Sequence, residues 1–292
     1  MSVCWIVLCC GLLVASCGRD PESRNRSKGV ENEYAEGCVY RAPFPYGVEP
    51  VAPVPDDGRV RNVILMIGDG MGLEQVSAAL VANRGALYIA GMPYTGFSRT
   101  TSADHLITDS GAGGTALATG RKTNNYAVGV GPDGRPLRTL VDAARDGGRR
   151  TGVCVVCRLN DATPAAFYAH QASRNDYYDI GLELIDSGFE YFAGGGLLKP
   201  TGAEGDQADL YALAEKAGYH VVKTQAEAEQ VTGGPVVIID EHLADSDAMA
   251  YEIDRTDDMW ALADYVEKGI EVLDNDKGFF MMVEGGKIDW AC

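Results

Sequence analysis

Short apolar, often β-branched runs recur along this chain, and between them apolar positions return every three or four residues. The runs cover residues 63–67, 152–156, Val236–Ile239 (after the breakers Gly233-Gly234-Pro235) and 279–283. They predict short strands; the run at 63–67 reads as a parallel strand buried on both faces. Helical periodicity covers residues 74–82, 140–145, 177–185, 209–217, 226–231 and 257–273. Strands alternating with helices in this way predict an α/β domain, with a mostly parallel central sheet and helices on both faces. No internal repeat interrupts the pattern.

The N-terminus differs. Residues 3–15 form an apolar segment too short to cross a bilayer, ending in Val14-Ala15-Ser16-Cys17. This reads as an export signal lying apart from the fold. Small residues before a cysteine resemble a bacterial lipobox, which implies cleavage before Cys17 and a lipid anchor on it. The segment lacks the usual Lys or Arg near its start, so an ordinary signal peptide is the alternative. Both predict an exported protein, periplasmic or an outer-membrane lipoprotein. Residues 20–58 are polar, then rich in Pro and Gly, and read as a tether and irregular arm. The expected division is 1–16 signal, 17–60 tether and arm, 61–292 α/β domain.

Charge narrows the partners. The chain has 292 residues and a formal charge of −17, from 42 acidic and 25 basic residues. Such a surface repels nucleic acid. It repels anionic substrates too, so a phosphate site must supply local positive charge, as metal ions and an arginine would. With 46% hydrophobic residues and a mean hydropathy of −0.10, the chain can bury a substantial core. Cys154 and Cys157 have metal-like spacing but fall on a strand run, where residues three apart face opposite sides. They read as core thiols.

Two segments carry candidate chemistry. Ile107-Thr108-Asp109-Ser110-Gly111-Ala112-Gly113-Gly114-Thr115 places a hydroxyl after a carboxylate among residues too small to block a ligand. A helical stretch at 115–119 follows, so Ser110 is expected near a helix N-terminus, which favours an anion. A plain loop with Asp109 as helix cap fits as well. Upstream, the run at 63–67 delivers Gly68-Asp69-Gly70-Met71-Gly72 to its C-terminal end, where open α/β sheets place ligands.

Together these segments resemble the alkaline phosphatase family: the first matches its nucleophile motif, the second its first metal-binding motif. Asn160-Asp161-Ala162-Thr163-Pro164-Ala165-Ala166 with His170 and Arg174 resembles the magnesium and phosphate-arginine segment. Met282-Val283-Glu284-Gly285-Gly286-Lys287-Ile288-Asp289 resembles the strand carrying one magnesium and one zinc ligand. Tyr191 to Gly196 and Tyr251 to Arg255 also resemble family segments, without catalytic duty. The match runs from Asn62 to Cys292.

The resemblance implies a phosphomonoesterase acting through a phosphoserine, with two zinc ions and one magnesium. Ser110 would attack phosphorus, its alkoxide held by one zinc. Asp69 would bridge that zinc and the magnesium, with Thr163 and Glu284 completing the magnesium site. Asp161 would hold magnesium-bound water, and Arg174 would grip phosphate, oriented by Asp109. Asp289 would bind the other zinc, and Trp290 would tune phosphate affinity or product release. Read alone, Asp161 with Pro164 is also a helix start, Arg174 a surface arginine, and Glu284 and Asp289 strand-end carboxylates in need of partners.

The histidines His105, His170, His220 and His242 follow no Ser-His-Asp pattern and stand at none of the family's zinc positions. The resemblance therefore implies the N-terminal part of a longer alkaline phosphatase, with negligible turnover by these 292 residues alone. A homodimer is compatible with it. The alternatives are a phosphodiesterase or sulfatase of the same superfamily, though no sulfatase context surrounds Ser110. An inactive, lipid-anchored phosphate- or metal-binding scaffold is the reading from another class.

Overall fold

The computed structural model describes residues 3–9 (backbone only), 45, 47–49 and 60–292. Its strands are β1 (Val3–Cys9), β2 (Asn62–Gly68), β3 (Arg150–Val155), β4 (Tyr191–Gly194), β5 (His220–Val222), β6 (Val236–Ile239) and β7 (Phe279–Gly285). All pair in parallel, in the order β1-β2-β7-β3-β4-β6-β5. The helices are α1 (Leu73–Ala82), α2 (Ser110–Thr119), α3 (Leu140–Asp146), α4 (Ala162–Ala165), α5 (Tyr177–Ser187), α6 (Leu210–Lys216), α7 (Gln225–Glu229) and α8 (Leu262–Leu273).

Alternate residues of each central strand enter separate cores. Leu65, Ile67, Val153, Val155, Phe192, Phe280 and Met282 pack with helices α2 to α6 on one face. Ile64, Cys154, Tyr191, Ala193, Met281 and Val283 pack with α7 and α8 on the other. Both faces are dry, which explains why the strands read as continuous apolar runs. Cys157 and Cys154 lie in opposite cores as free thiols. Among the described residues, no helix is long and apolar enough to cross a membrane.

The strand between Asn62 and β3 in space is β7, the last in sequence. Inserting it there opens a topological switch point at the C-terminal ends of β2, β7 and β3, where such sheets bind ligands.

Several expectations change. Val3–Cys9, expected apart from the fold, pairs in parallel with Asn62–Gly68 at the sheet edge. An apolar, β-prone sequence there satisfies backbone groups that an open edge leaves unpaired. Strands β4 and β5 went unread: β4 is Tyr-Phe-Ala-Gly, with no β-branched residue, and β5 is three residues long. The last predicted helix starts at Leu262 rather than 257, because the Asp264 carboxylate accepts from the Ala261 N–H and closes the N-terminus there. Helix α2 begins at Ser110 itself rather than at Thr115. The tether at 17–60 and its Cys17 anchor lie, but for a few residues, outside the described part of the chain.

Candidate active site

Three strand ends and one helix N-terminus converge. The chain leaves β2 at Gly68, and the Asp69 N–H donates to the Gly285 carbonyl at 3.1 Å, tying the two strand tips together. Gly70 then turns at φ +68°, and a Cβ there would lie 2.2 Å from the Asp289 Cβ. Glycine is required here by both conformation and space, and Asp289 is thereby seated directly over the strand-end turn.

Helix α2 brings the serine. Asp109 is its N-cap: Oδ1 accepts from the Ala112 and Tyr126 N–H groups, each at 3.0 Å. Ser110 follows as the first helical residue, and its hydroxyl donates to Asp69 Oδ2 at 2.7 Å. The helix comes this close to α4 because of Gly114, whose added Cβ would stand 3.1 Å from the Thr163 Cα. Asp161 caps α4 by accepting from the Ala162 N–H at 2.9 Å, and Pro164 sits in the first turn. The segment is a helix start, and it sets Thr163, which donates to Asp69 Oδ2 at 3.4 Å.

Arg174 closes one side. Its Nη1 lies 3.2 Å from Asp109 Oδ2 and its Nη2 3.2 Å from Asp161 Oδ1, so it is largely buried rather than a surface arginine. Burial opposes its charge, but Asp161 and Asp109 outweigh that and hold its pKa above the ordinary value. A cavity of about 200 Å³ results, lined among others by Asp69, Asp109, Ser110, Thr163, Arg174 and Asp289.

Glu284 lies behind this cavity, 1% exposed at the end of β7. The Cys157 thiol donates to its Oε2 at 3.3 Å. Burial, then the charges of Asp69 and Asp161, push the Glu284 carboxyl well above its usual range. Asp69 is raised as well, first by burial and then by Asp289, against the lowering effect of the Ser110 hydrogen bond. Two crowded carboxylates with a threonine hydroxyl between them form an oxygen-only set that fits a hard cation such as magnesium. Two zinc sites do not fit in the same way. None of the histidines lines the cavity, and among the described residues no three His, Cys, Asp or Glu side chains converge to hold a metal. Zinc favours nitrogen and sulfur ligands, whereas Asp69, Ser110 and Asp289 offer oxygen.

Of the nine residues given roles in the sequence, Asp69, Asp109, Ser110, Thr163, Arg174 and Asp289 line this cavity. Asp161 pairs with Arg174 beside it, Glu284 lies behind it, and Trp290 lies against Arg158 instead. Two others went unread. Arg158 binds Asp161 Oδ2 at 2.6 Å, and Cys157 contacts Glu284. The thiol was legible only as a core residue, and nothing in the spacing marks a lone arginine in the loop after β3.

Comparison with known proteins gives the family. The model of the family described as alkaline phosphatase matches residues 60–292. Alkaline phosphatase 4 of Bacillus subtilis is 34% identical over 252 residues, covering 81% of this chain and 53% of the relative. The Escherichia coli alkaline phosphatase is 30% identical, covering 80% of this chain and 61% of the relative. A variant of the alkaline phosphatase from the Antarctic bacterium TAB5, solved with magnesium bound, superposes with a TM-score of 0.71 at 31% identity. That match covers 79% of this chain and 66% of the TAB5 one. The chain spans about half the length of the first curated relatives it matches. With the sheet order, the serine at a helix start and the carboxylates beside it all in place, the chain belongs to the alkaline phosphatase family.

Proposed function

We propose that the protein is an exported, metal-dependent phosphomonoesterase in which Ser110 is the nucleophile. The observation that carries this is the 2.7 Å hydrogen bond from the Ser110 hydroxyl to Asp69 at the N-terminus of α2, with Arg174 across the same cavity. Ser110 Oγ would form a bond to phosphorus as the ester oxygen leaves with a proton. Water would then break the Oγ–P bond, releasing orthophosphate and restoring the hydroxyl. Arg174, paired through both Nη atoms, would present the planar fork that phosphate oxygens match. Asp109 would hold that fork in place while capping the helix. The first N–H groups of α2 would face the transferring group.

Asp69, Thr163 and Glu284 would hold magnesium, with Asp161 acting on its water shell. A divalent cation bound there supplies positive charge that lowers the pKa of a nearby hydroxyl and offsets the phosphate dianion. That charge is needed: among the described residues, the cations ion-paired with Asp69, Asp109, Asp161, Glu284 and Asp289 are Arg174, on Asp109 and Asp161, and Arg158, on Asp161. Ser110 and Asp289 are the zinc-side residues in this reading, and a zinc pair needs nitrogen donors beyond those lining the cavity. The 292-residue polypeptide alone is therefore expected to turn over negligible phosphate ester.

Export and a lipid anchor at Cys17 complete the proposal, supported by the apolar segment and the small residues before that cysteine; cleavage there would remove Val3–Cys9 from the sheet edge. A homodimer is compatible with it. Protein isolated from its native source, assayed with aryl phosphate, bis-aryl phosphate and aryl sulfate, tests the activity. Preference for the monoester together with covalent phosphate on Ser110 is the expected result. The same oxygen-only donor set favours a second reading, a scaffold that binds phosphate or metal without turnover. Calorimetric binding of either without Ser110 labelling would decide for it.

A further inference from the structure

We infer that Arg158 is a positioning residue that takes up the charge of Asp161 and so keeps Arg174 available to phosphate; this rests on the reading of Arg174 as the phosphate grip. Arg158 does not line the cavity. It is buried in the loop after β3, and its contacts fix it from three sides. Nη2 lies 2.6 Å from Asp161 Oδ2, Nη1 donates to the Ser246 carbonyl at 3.5 Å, and the guanidinium lies 5.3 Å from the Trp290 ring centroid. Trp290 is in turn 5.6 Å from the Lys287 ammonium, which sits 3.6 Å over the Tyr251 ring.

The consequence is electrostatic. Asp161 divides its two oxygens between two guanidiniums, one at 2.6 Å and the other at 3.2 Å. The closer partner is the one outside the cavity. Arg174 thus shares Asp161 while also bound to Asp109. Without Arg158, the Asp161 charge would fall on Arg174 alone and stand unbalanced beside an arriving dianion. In a site where burial limits screening, both effects oppose phosphate. Arg158 therefore acts on substrate affinity through Asp161, and Trp290 serves as the flat surface against which its guanidinium lies.

Orthophosphate binding to the 292-residue protein, measured by calorimetry with magnesium chloride present, tests this. Arg158→Gln should weaken phosphate by about tenfold, roughly 1.4 kcal/mol, while Arg158→Lys recovers part of the loss. Adding Asp161→Asn to Arg158→Gln should recover part of the affinity, because asparagine keeps an oxygen toward Arg174 while the charge that Arg158 balances is gone. A merely structural arginine would give no such rescue, and a thermal melt of each variant shows that it is folded. Wild-type phosphate binding that ignores Arg158, or a double variant no better than Arg158→Gln, overturns this inference and leaves the site reading intact. No wild-type binding at all overturns both.

Discussion

The Ser110 hydroxyl and the Asp69 carboxylate, 41 residues apart in sequence, meet at 2.7 Å where helix α2 begins above the tip of β2. That hydrogen bond lowers an Asp69 pKa otherwise raised by burial. In protein isolated from its native source, Ser110→Ala should abolish covalent phosphate capture, read by intact mass after incubation with an aryl phosphate. It should also cost about 1 kcal/mol of stability, since a hydrogen bond is lost and Asp69 keeps one donor fewer. Urea denaturation of the two proteins checks the second figure.

Glu284 makes a prediction whose sign follows from its raised pKa. A carboxyl whose pKa is raised by folding favours the folded state below the ordinary carboxylate range. That contribution is lost as pH rises through the raised value, and Asp69 acts in the same direction. Magnesium should reverse the loss, so its stabilisation should be large at alkaline pH and small near pH 5. At a hundredfold excess over Kd the gain is about 2.7 kcal/mol. Glu284→Gln should leave the metal-free melting temperature nearly unchanged in mild acid and abolish the magnesium effect. Melting curves across pH, with and without magnesium, check both.

Asp109 has two duties that substitutions separate. Asparagine keeps the oxygen that caps α2 but removes the charge facing Arg174; alanine removes both. Asp109→Asn and Asp109→Ala should weaken orthophosphate binding to a similar degree. Only alanine should additionally lower stability through the lost cap, by about 1 kcal/mol. Calorimetry and chemical denaturation of the pair would distinguish them.

Away from the site, the Glu183 carboxylate accepts from the His170 backbone N–H at 2.7 Å and lies 3.5 Å from its Nδ1. Hydrogen bonding to Glu183 raises the His170 pKa from 6.5. Burial would raise Glu183, but its hydrogen bonds to His170 and Gln171 prevail and lower it from 4.5. The histidine contribution is complete below 6.5 and lost as pH rises through its raised value. The glutamate contribution is complete above 4.5 and lost as pH falls through its lowered value. Glu183→Gln should therefore destabilise most between pH 4.5 and 6.5, and less above the raised histidine value. Melting temperatures of both proteins across that range check it.

Long-period signals were the legible ones. The strand from Asn62 to Gly68 and its trailing aspartate stood out because an apolar run ending in glycines has few other readings. The serine motif stood out because small residues flank a hydroxyl. His220–Val222 did not, since three residues carry no period and its place depends on pairing with β6. The onset of α8 was set by Asp264 reaching the Ala261 N–H, a contact that periodicity cannot reveal. Arg158 was invisible for a related reason. Its meaning lies in Asp161, Ser246 and Trp290, which the fold alone brings to it.

The register of the central strands has a last consequence. Gly68 pairs with Gly285, and Val155 with Glu284, across neighbouring parallel ladders. The separation between Glu284, inside β7, and Asp69, one residue beyond β2, is therefore set by the roughly 4.8 Å spacing of a sheet rather than by a long loop. Loosening at the surface gives these like charges no room to move apart. Their mutual repulsion is a load borne by the whole sheet, relieved by a cation or by the parting of the strands themselves. Heat should then end the chemistry and the fold in one event, with no earlier, softer failure at the site.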